Sequence, residues 1–446
     1  MNWKEMSLES VTCIFQRAGA TQLFIKYLAE NDNSKNQIYL GHNYAALNIL
    51  PLGPMTVDNS KRGSRYDRFK ASISFYWLTK DGQMALAPHA QLILYPNYPE
   101  VRLSGFLKAC PDAPSDLMNV RIAGRAMLLG ITEDRKVMGL ILPVGSLIVK
   151  ELSGFPALPK AGVFLDGTTL LAGTGNARKD LFLAVKSIYD KGWIEGKRLS
   201  RGKSIPYDSP NGGGYTFEAE LGINPNGDSV PDYMGWEIKQ YGSRDLEIPQ
   251  ASHRITLMTP EPTQGEYKSL GVEKFIRKYG YPDRHGRADR FNFGGIYISN
   301  LRVESTGLTL ALEGFDPSNC KIMKPEGGIV LLNDKKEVAA KWMFTDLLSH
   351  WNRKHNRTAY IPSITRTEPS RAYRYGAIID LGEGTEFPLF LLAINGGKVY
   401  YDPGIKLEDS STAKPTTKRR SQFRVKFPDL KALYHHFAPY DVRTYT

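Results

Sequence analysis

The period of the hydrophobic pattern changes partway along this chain, and no other feature constrains its fold as much. Over residues 1–150 the clearest segments run in β-branched and aromatic residues, the signature of strands rather than helices. RFKASISFYWL (68–78) is followed by a KDG turn and then by QLILY (91–95), and the apolar run 125–131 is joined to 137–149 by the polar TEDRK. Two hairpins and a mainly β first domain, packed as a sandwich or barrel, are predicted. From residue 178 the period becomes helical. RKDLFLAVKSIYDKGW (178–193) spaces Leu181, Val185 and Ile188 along one face and stops at Gly192. Between the two patterns, 151–177 is rich in Gly, Pro and Leu and reads as a connector that packs on something. The expected organisation is therefore a β domain at 1–150, a connector at 151–177 and an α/β domain at 178–446, in keeping with 446 residues being too many for one ordinary core.

Charge narrows the partners. Fifty-eight Lys and Arg against 46 Asp and Glu leave +12, and clustered positive charge binds polyanions by releasing condensed counterions. Plain solubility is the competing explanation of such a balance. With 41% hydrophobic and 23% charged residues, a disordered or fibrous chain is excluded. Cys13, Cys110 and Cys320 are widely spaced and form no CxxC, so neither a disulfide framework nor a zinc cluster is expected, and a reducing cytoplasm fits. MNWKEMSLES lacks the apolar core of a signal peptide, and the apolar stretch 137–149 is broken by Gly and Pro. No membrane segment is expected.

The chemistry concentrates in YTFEAELGINPNGDSVPDYMGWEIKQYG (215–242), just after SRGKSIPYDSPNGGG (200–214), which reads as a polar, Gly-rich loop. Asp232, Glu237 and Lys239 form D-x4-E-x-K. If Met234–Gln240 is a strand, Glu237 and Lys239 point to one face while Trp236 and Ile238 enter the core. Two carboxylates, the backbone carbonyl of Ile238 and waters then suit a hard divalent cation, with the Lys239 ammonium beside it. Such a group fits phosphodiester hydrolysis. Alone the pattern is weak, since a solvated edge strand with an ordinary ion pair has the same letters. TFEAELGI strengthens it by placing Phe217 and Leu221 on one helical face and Glu218 on an adjacent one, within reach of the same cation. Glu220, rotated about 200° away, is expected to be solvated.

Glu218-x-x-Leu221-Gly222 followed by Pro231-Asp232-x4-Glu237-x-Lys239 resembles the active-site region of MutH and of the MvaI and BcnI restriction endonucleases, with a gap between the two acids more like the MvaI side. The resemblance continues through SHRITLMTPEP (252–262), HGRADRFNFGGIYISN (285–300), LLSHWNRKHNRTAYIPS (347–363) and KRRSQFRVKFPDLKALY (418–434), and so covers roughly 178–446. It implies a PD-(D/E)xK fold, a mixed sheet flanked by helices. It implies a site-specific endonuclease of duplex DNA that uses magnesium, or manganese in its place, in defence against phage. Catalytic roles for Glu218, Asp232, Glu237 and Lys239 come with it. Residues 1–150 have no counterpart in the short MvaI and BcnI proteins.

Three basic groups follow the motif. His285, Arg287 and Arg290 form the first, Arg366, Arg371 and Arg374 the second, and Arg419, Arg420 and Arg424 with Lys418 and Lys426 the third. Arginine matches guanine edges and phosphates, although each group alone is as well explained by a solvated basic face. In the first domain Lys61, Arg62, Arg65 and Arg68 with Lys70 make the densest basic run, interleaved with Tyr66 and Phe69, a second candidate DNA surface. Three alternatives stay open at this point: a nuclease that senses modified bases, a MutH-like nickase that waits for a protein activator, and a non-catalytic DNA-binding protein.

Overall fold

The computed structural model describes residues 6–32, 37–41, 45–58, 68–79, 82–95, 100–154, 158–171, 177–224, 232–251, 254–284, 286–324 and 326–445. Two compact units divide between Asp180 and Leu181.

In the first unit, a seven-stranded sheet runs in the order 160–161, 164–166, 20–28, 125–132, 137–142, 75–78 and 84–86. Its central strands, Arg125–Thr132 and Val137–Leu142, are buried at every position, as expected of strands covered on both faces. They form the antiparallel hairpin anticipated across TEDRK, with Val137 opposite Ile131. The helix Leu8–Arg17 covers one face, burying Leu8, Val11 and Phe15 against Leu128, Leu140 and Ile148. A five-stranded antiparallel sheet follows the order 37–39, 100–104, 91–95, 68–72 and 55–58. Two details differ from the expectation. RFKASISFYWL is two strands, Arg68–Ser72 and Phe75–Leu78, which belong to different sheets. Leu147–Gly154 is a helix rather than the end of a strand. In the 151–177 segment, Phe164–Asp166 pairs with the strand Ala20–Leu28 and so extends the seven-stranded sheet.

In the second unit, a six-stranded mixed sheet is built on the long strand Arg357–Arg366. Its antiparallel partners are Ala372–Tyr375 and Ile378–Glu383. Its parallel partner is Glu237–Gly242, with Glu237 opposite Thr358 and Lys239 opposite Tyr360. Among the described strands, Glu237–Gly242 pairs with no other and is thus an edge. The helix Ala177–Asp190 carries Leu181, Val185 and Ile188 at the predicted spacing, and these three, with Phe182, pack with Phe217, Trp236, Ile238 and Ala359 in one core. Gly192, at φ +69°, adopts the left-handed conformation that lets the chain leave this helix.

Candidate active site

The site grows from a tight turn. Tyr233 and Trp236 exchange backbone hydrogen bonds of 2.9 and 2.8 Å around Met234 and Gly235, both at positive φ (47° and 81°). This is the two-residue hairpin geometry that matches strand twist. The strand therefore begins at Glu237, later than the Met234 expected, because the turn occupies Met234 and Gly235. Asp232 sits just before the turn, and its Oδ2 accepts a 3.0 Å hydrogen bond from the Ile238 N–H. That bond holds one carboxylate against the start of the strand that carries the other.

Alternation does what the sequence implied. Trp236 and Ile238 enter the core, so Glu237 and Lys239 share the other face. Glu237 is 1% exposed, and its Oε1 lies 2.7 Å from Lys239 Nζ. Burial is the largest influence on the Lys239 ammonium and pushes its pKa down. Glu237, by charge and by hydrogen bond, then Asp232 and Glu218 together outweigh it, and the net shift is upward. Lys239 is held as a cation, and the same interactions bring all four sequence-predicted residues into one electrostatic neighbourhood.

Glu218 arrives on the helix Gly212–Glu220. Gly212 and Gly213 explain how that helix can press on the sheet: a Cβ would stand 2.6 Å from the Tyr373 hydroxyl at Gly212 and 2.7 Å from Gln240 Oε1 at Gly213. The Tyr375 hydroxyl donates to the Gly213 carbonyl at 2.7 Å. The segment expected to be a Gly-rich loop is thus the hairpin Lys197–Ser200 with Lys203–Pro206, followed by the first turn of the helix. Thr216 clamps the two together, exchanging hydrogen bonds of 3.1 and 3.2 Å with the backbone of Lys197. Glu220 is not solvated as expected. Its side chain is 5% exposed and pairs with Lys191 at 2.6 Å and with Lys197; burial is the largest influence and raises its pKa, but the two lysines together outweigh it and the net shift is downward.

The donor set around Asp232 and Glu237, two carboxylates with the Ile238 carbonyl, consists of hard oxygens and fits magnesium. Among the described residues no three His, Cys, Asp or Glu side chains converge on a common point, so the backbone carbonyl and water would have to complete the shell.

The family model for the MvaI/BcnI restriction endonuclease family matches residues 183–434, more than half of the chain, and includes all four of these residues. The chain belongs to this family. Membership implies a nuclease acting on DNA. Among solved structures, the restriction endonuclease MvaI in complex with its cognate DNA is 19% identical at a TM-score of 0.44, and MvaI without DNA is 18% identical at 0.34. Each match covers 59% of this chain and 98% of MvaI. No curated protein matches the chain. Residues 1–180 lie outside the family match.

The MvaI/BcnI segment brings two of the three basic groups together. Arg290–Gly294, Gly404–Glu408 and Thr416–Lys418 are neighbouring strands, with Asn292 opposite Lys406 and Lys406 opposite Lys418. Phe293, Ile405 and Leu407 are buried, which leaves Arg290, Lys406 and Lys418 on the opposite face. Burial, then Arg290, Arg420 and Arg287, push the Lys406 ammonium down in pKa, with Glu408 opposing. Lys406 was missed in the sequence because it stands alone in GIKLE; alternation around it was the available signal. Within this group Lys418 pairs with Glu408 at 2.6 Å, and Arg290 lies 3.8 Å from Asp283. Arg419 is exposed. Arg424 is spent internally, on Asp402 at 2.8 Å and the Arg254 carbonyl at 2.8 Å.

The second basic group sits on the 357–366 and 372–375 strands. Arg366 lies over the Trp193 ring at 5.1 Å, Arg371 pairs with Asp208 at 2.6 Å, and Arg374 is exposed. In the first unit, Arg68 and Lys70 both pair with Asp58, at 2.7 and 2.8 Å. His285, Lys61, Arg62, Arg65 and Pro231 lie outside the described residues. Among those described, no helix is long and apolar enough to cross a membrane.

Proposed function

We propose that this protein is a magnesium-dependent, site-specific endonuclease of duplex DNA, of restriction type and serving phage defence, with a PD-(D/E)xK reactive centre at Glu218, Asp232, Glu237 and Lys239. The observation that carries the reading is the 2.7 Å pair of buried Glu237 with Lys239 at the start of an edge strand, with Asp232 and Glu218 near enough for their charges to act on the same ammonium. An edge strand supports the role because, among the described strands, one side of it has no sheet partner, so a DNA backbone can approach its end. Three free thiols fit a cytoplasmic protein.

In this reading Asp232, Glu237 and the Ile238 carbonyl hold magnesium, or manganese in its place. A bound ion would lower the pKa of a coordinated water and offset charge on the phosphate. Lys239 supplies a fixed cation where that charge grows, within a largely buried site where it is little screened. Glu218, half-buried on the helix Gly212–Glu220, would accept a hydrogen bond from the attacking water. The first unit adds DNA recognition, for which its position outside the family match and the 61–70 basic run are the support.

The test is one gel in which the protein and magnesium meet matched unmodified, methylated and hydroxymethylated phage DNA. Discrete fragments from unmodified DNA are expected. Cutting confined to modified DNA would make the first unit a sensor of modification, nicks that need an added protein would favour the MutH-like mode, and no cutting under any condition would overturn the reading.

For the cations around Lys406, an anion relieves their mutual crowding, which favours this face as a phosphate-binding surface. Changing Arg290 and Lys406 together to Ala should weaken DNA binding and reduce the salt dependence by about two counterions' worth. An unchanged slope across 50–200 mM salt, a range over which phosphate contacts typically cost ~10³ or more in affinity, would place the DNA elsewhere.

A further inference from the structure

The face that carries Glu237 and Lys239 also holds a buried chain of hydroxyls that the reading above does not use. Thr358 and Tyr360, the ladder neighbours of Glu237 and Lys239, are fully buried. Tyr434 follows the turn Phe427–Leu433 and is 6% exposed. Its ring lies flat on the sheet above Gly382, the residue opposite Thr358 on the next strand. A Cβ at Gly382 would stand 2.6 Å from Tyr434 Cε2, so only glycine admits the ring. Tyr434 donates to Thr358 Oγ1 at 2.9 Å. A phenol has a single proton, so the 2.9 Å contact between the Tyr360 and Tyr434 hydroxyls is donated by Tyr360. The donors therefore run in one direction, from Tyr360 to Tyr434 to Thr358. The Thr358 proton ends the chain, and the carboxylate across the ladder from it is Glu237.

We propose that Tyr434 is a positioning residue of the active site, acting through Thr358, the ladder neighbour of Glu237, with Tyr360 anchoring the far end of the chain. The inference rests on Glu237 being part of the reactive centre. It links the orientation of that carboxylate to the 427–434 segment, far from it in sequence. The alternative use of the same bonds is to fasten that segment to the sheet, which would affect stability alone.

Tyr434→Phe removes one oxygen and keeps the ring over Gly382. Thr358→Val removes the hydroxyl at constant shape, and Thr358→Ser restores it. Single-turnover cleavage in magnesium, DNA affinity in calcium and the thermal midpoint would be measured for each, for the Tyr434→Phe/Thr358→Val pair and for Glu237→Gln. Loss of a group that orients a metal ligand typically costs about 10–100-fold. A fall of that size is expected for Tyr434→Phe and Thr358→Val, with DNA affinity unchanged, most of the rate recovered in Thr358→Ser, and the double variant no slower than the slower single one. If Tyr434→Phe does not fold, Thr358→Val and Thr358→Ser decide alone. Cleavage within twofold of wild type in Thr358→Val, with only the midpoint lowered, would overturn the proposal while Glu237→Gln stays inactive. Full activity of Glu237→Gln would overturn the catalytic reading itself and this inference with it.

Discussion

Replacing Asp232 or Glu237 by Ala should remove cleavage while leaving DNA affinity, measured in calcium, within a few fold of wild type. In the proposed centre each change deletes an oxygen donor for the cation, and neither touches the basic face around Lys406. Losing one preorganised electrostatic group in a buried site costs roughly 10²–10³ in rate, and a ligand to the cation should sit at or above that range. The two variants differ in their side effects. Asp232→Ala strands the Ile238 N–H, whose acceptor at 3.0 Å is Asp232 Oδ2, a loss of about 1 kcal/mol. Glu237→Ala leaves the Lys239 ammonium without its 2.7 Å partner. Rates are therefore compared well below each thermal midpoint. Wild-type cleavage by Asp232→Ala would remove that residue from the centre and leave its bond to Ile238 as its only role.

Much of this site was legible because its determinants are local. A period of two is enough to send Trp236 and Ile238 inward and Glu237 and Lys239 together to the other face, and a period of 3.6 is enough to align Leu181, Val185 and Ile188. What escaped the sequence depends on residues brought from elsewhere. Gly212 and Gly213 looked like loop because glycine is a loop residue by composition; here they let a helix approach Tyr373 and Gln240, neither of which is near in sequence. Glu220 looked solvated on an isolated helix, but Lys191 and Lys197 come from flanking elements to bury it. Met234 and Gly235 read as the first residues of a strand, since a turn at positive φ leaves no mark in a Met. The run 137–149 is nearly all apolar and fits strand or helix equally, and the break at Pro143–Ser146 decides where one gives way to the other. The contact of Tyr434 with Thr358 carried no signal before the fold brought their hydroxyls to 2.9 Å on one face of the sheet.

Replacing Lys239 by Met should slow cleavage by about 100-fold, the usual scale for losing a positioned electrostatic or proton-transferring group, with DNA affinity unchanged. Met keeps the aliphatic stem and removes only the charge. The size of the effect follows from the surroundings: Lys239 is 22% exposed and its partner Glu237 is 1% exposed, so solvent cannot supply a substitute cation cheaply. Three carboxylates favour the charged form against burial, so the ammonium persists at neutral pH, as the proposed role requires. Its removal also leaves Glu237 as a buried carboxylate without this counter-ion, which should lower the thermal midpoint, since breaking a buried pair costs about 3–5 kcal/mol. Stability and rate then separate the two roles Lys239 can play. A lower midpoint together with a 100-fold slower single-turnover rate at a temperature where both proteins are folded assigns it to the reaction. A lower midpoint with a rate within a few fold of wild type would reduce Lys239 to the structural partner of Glu237.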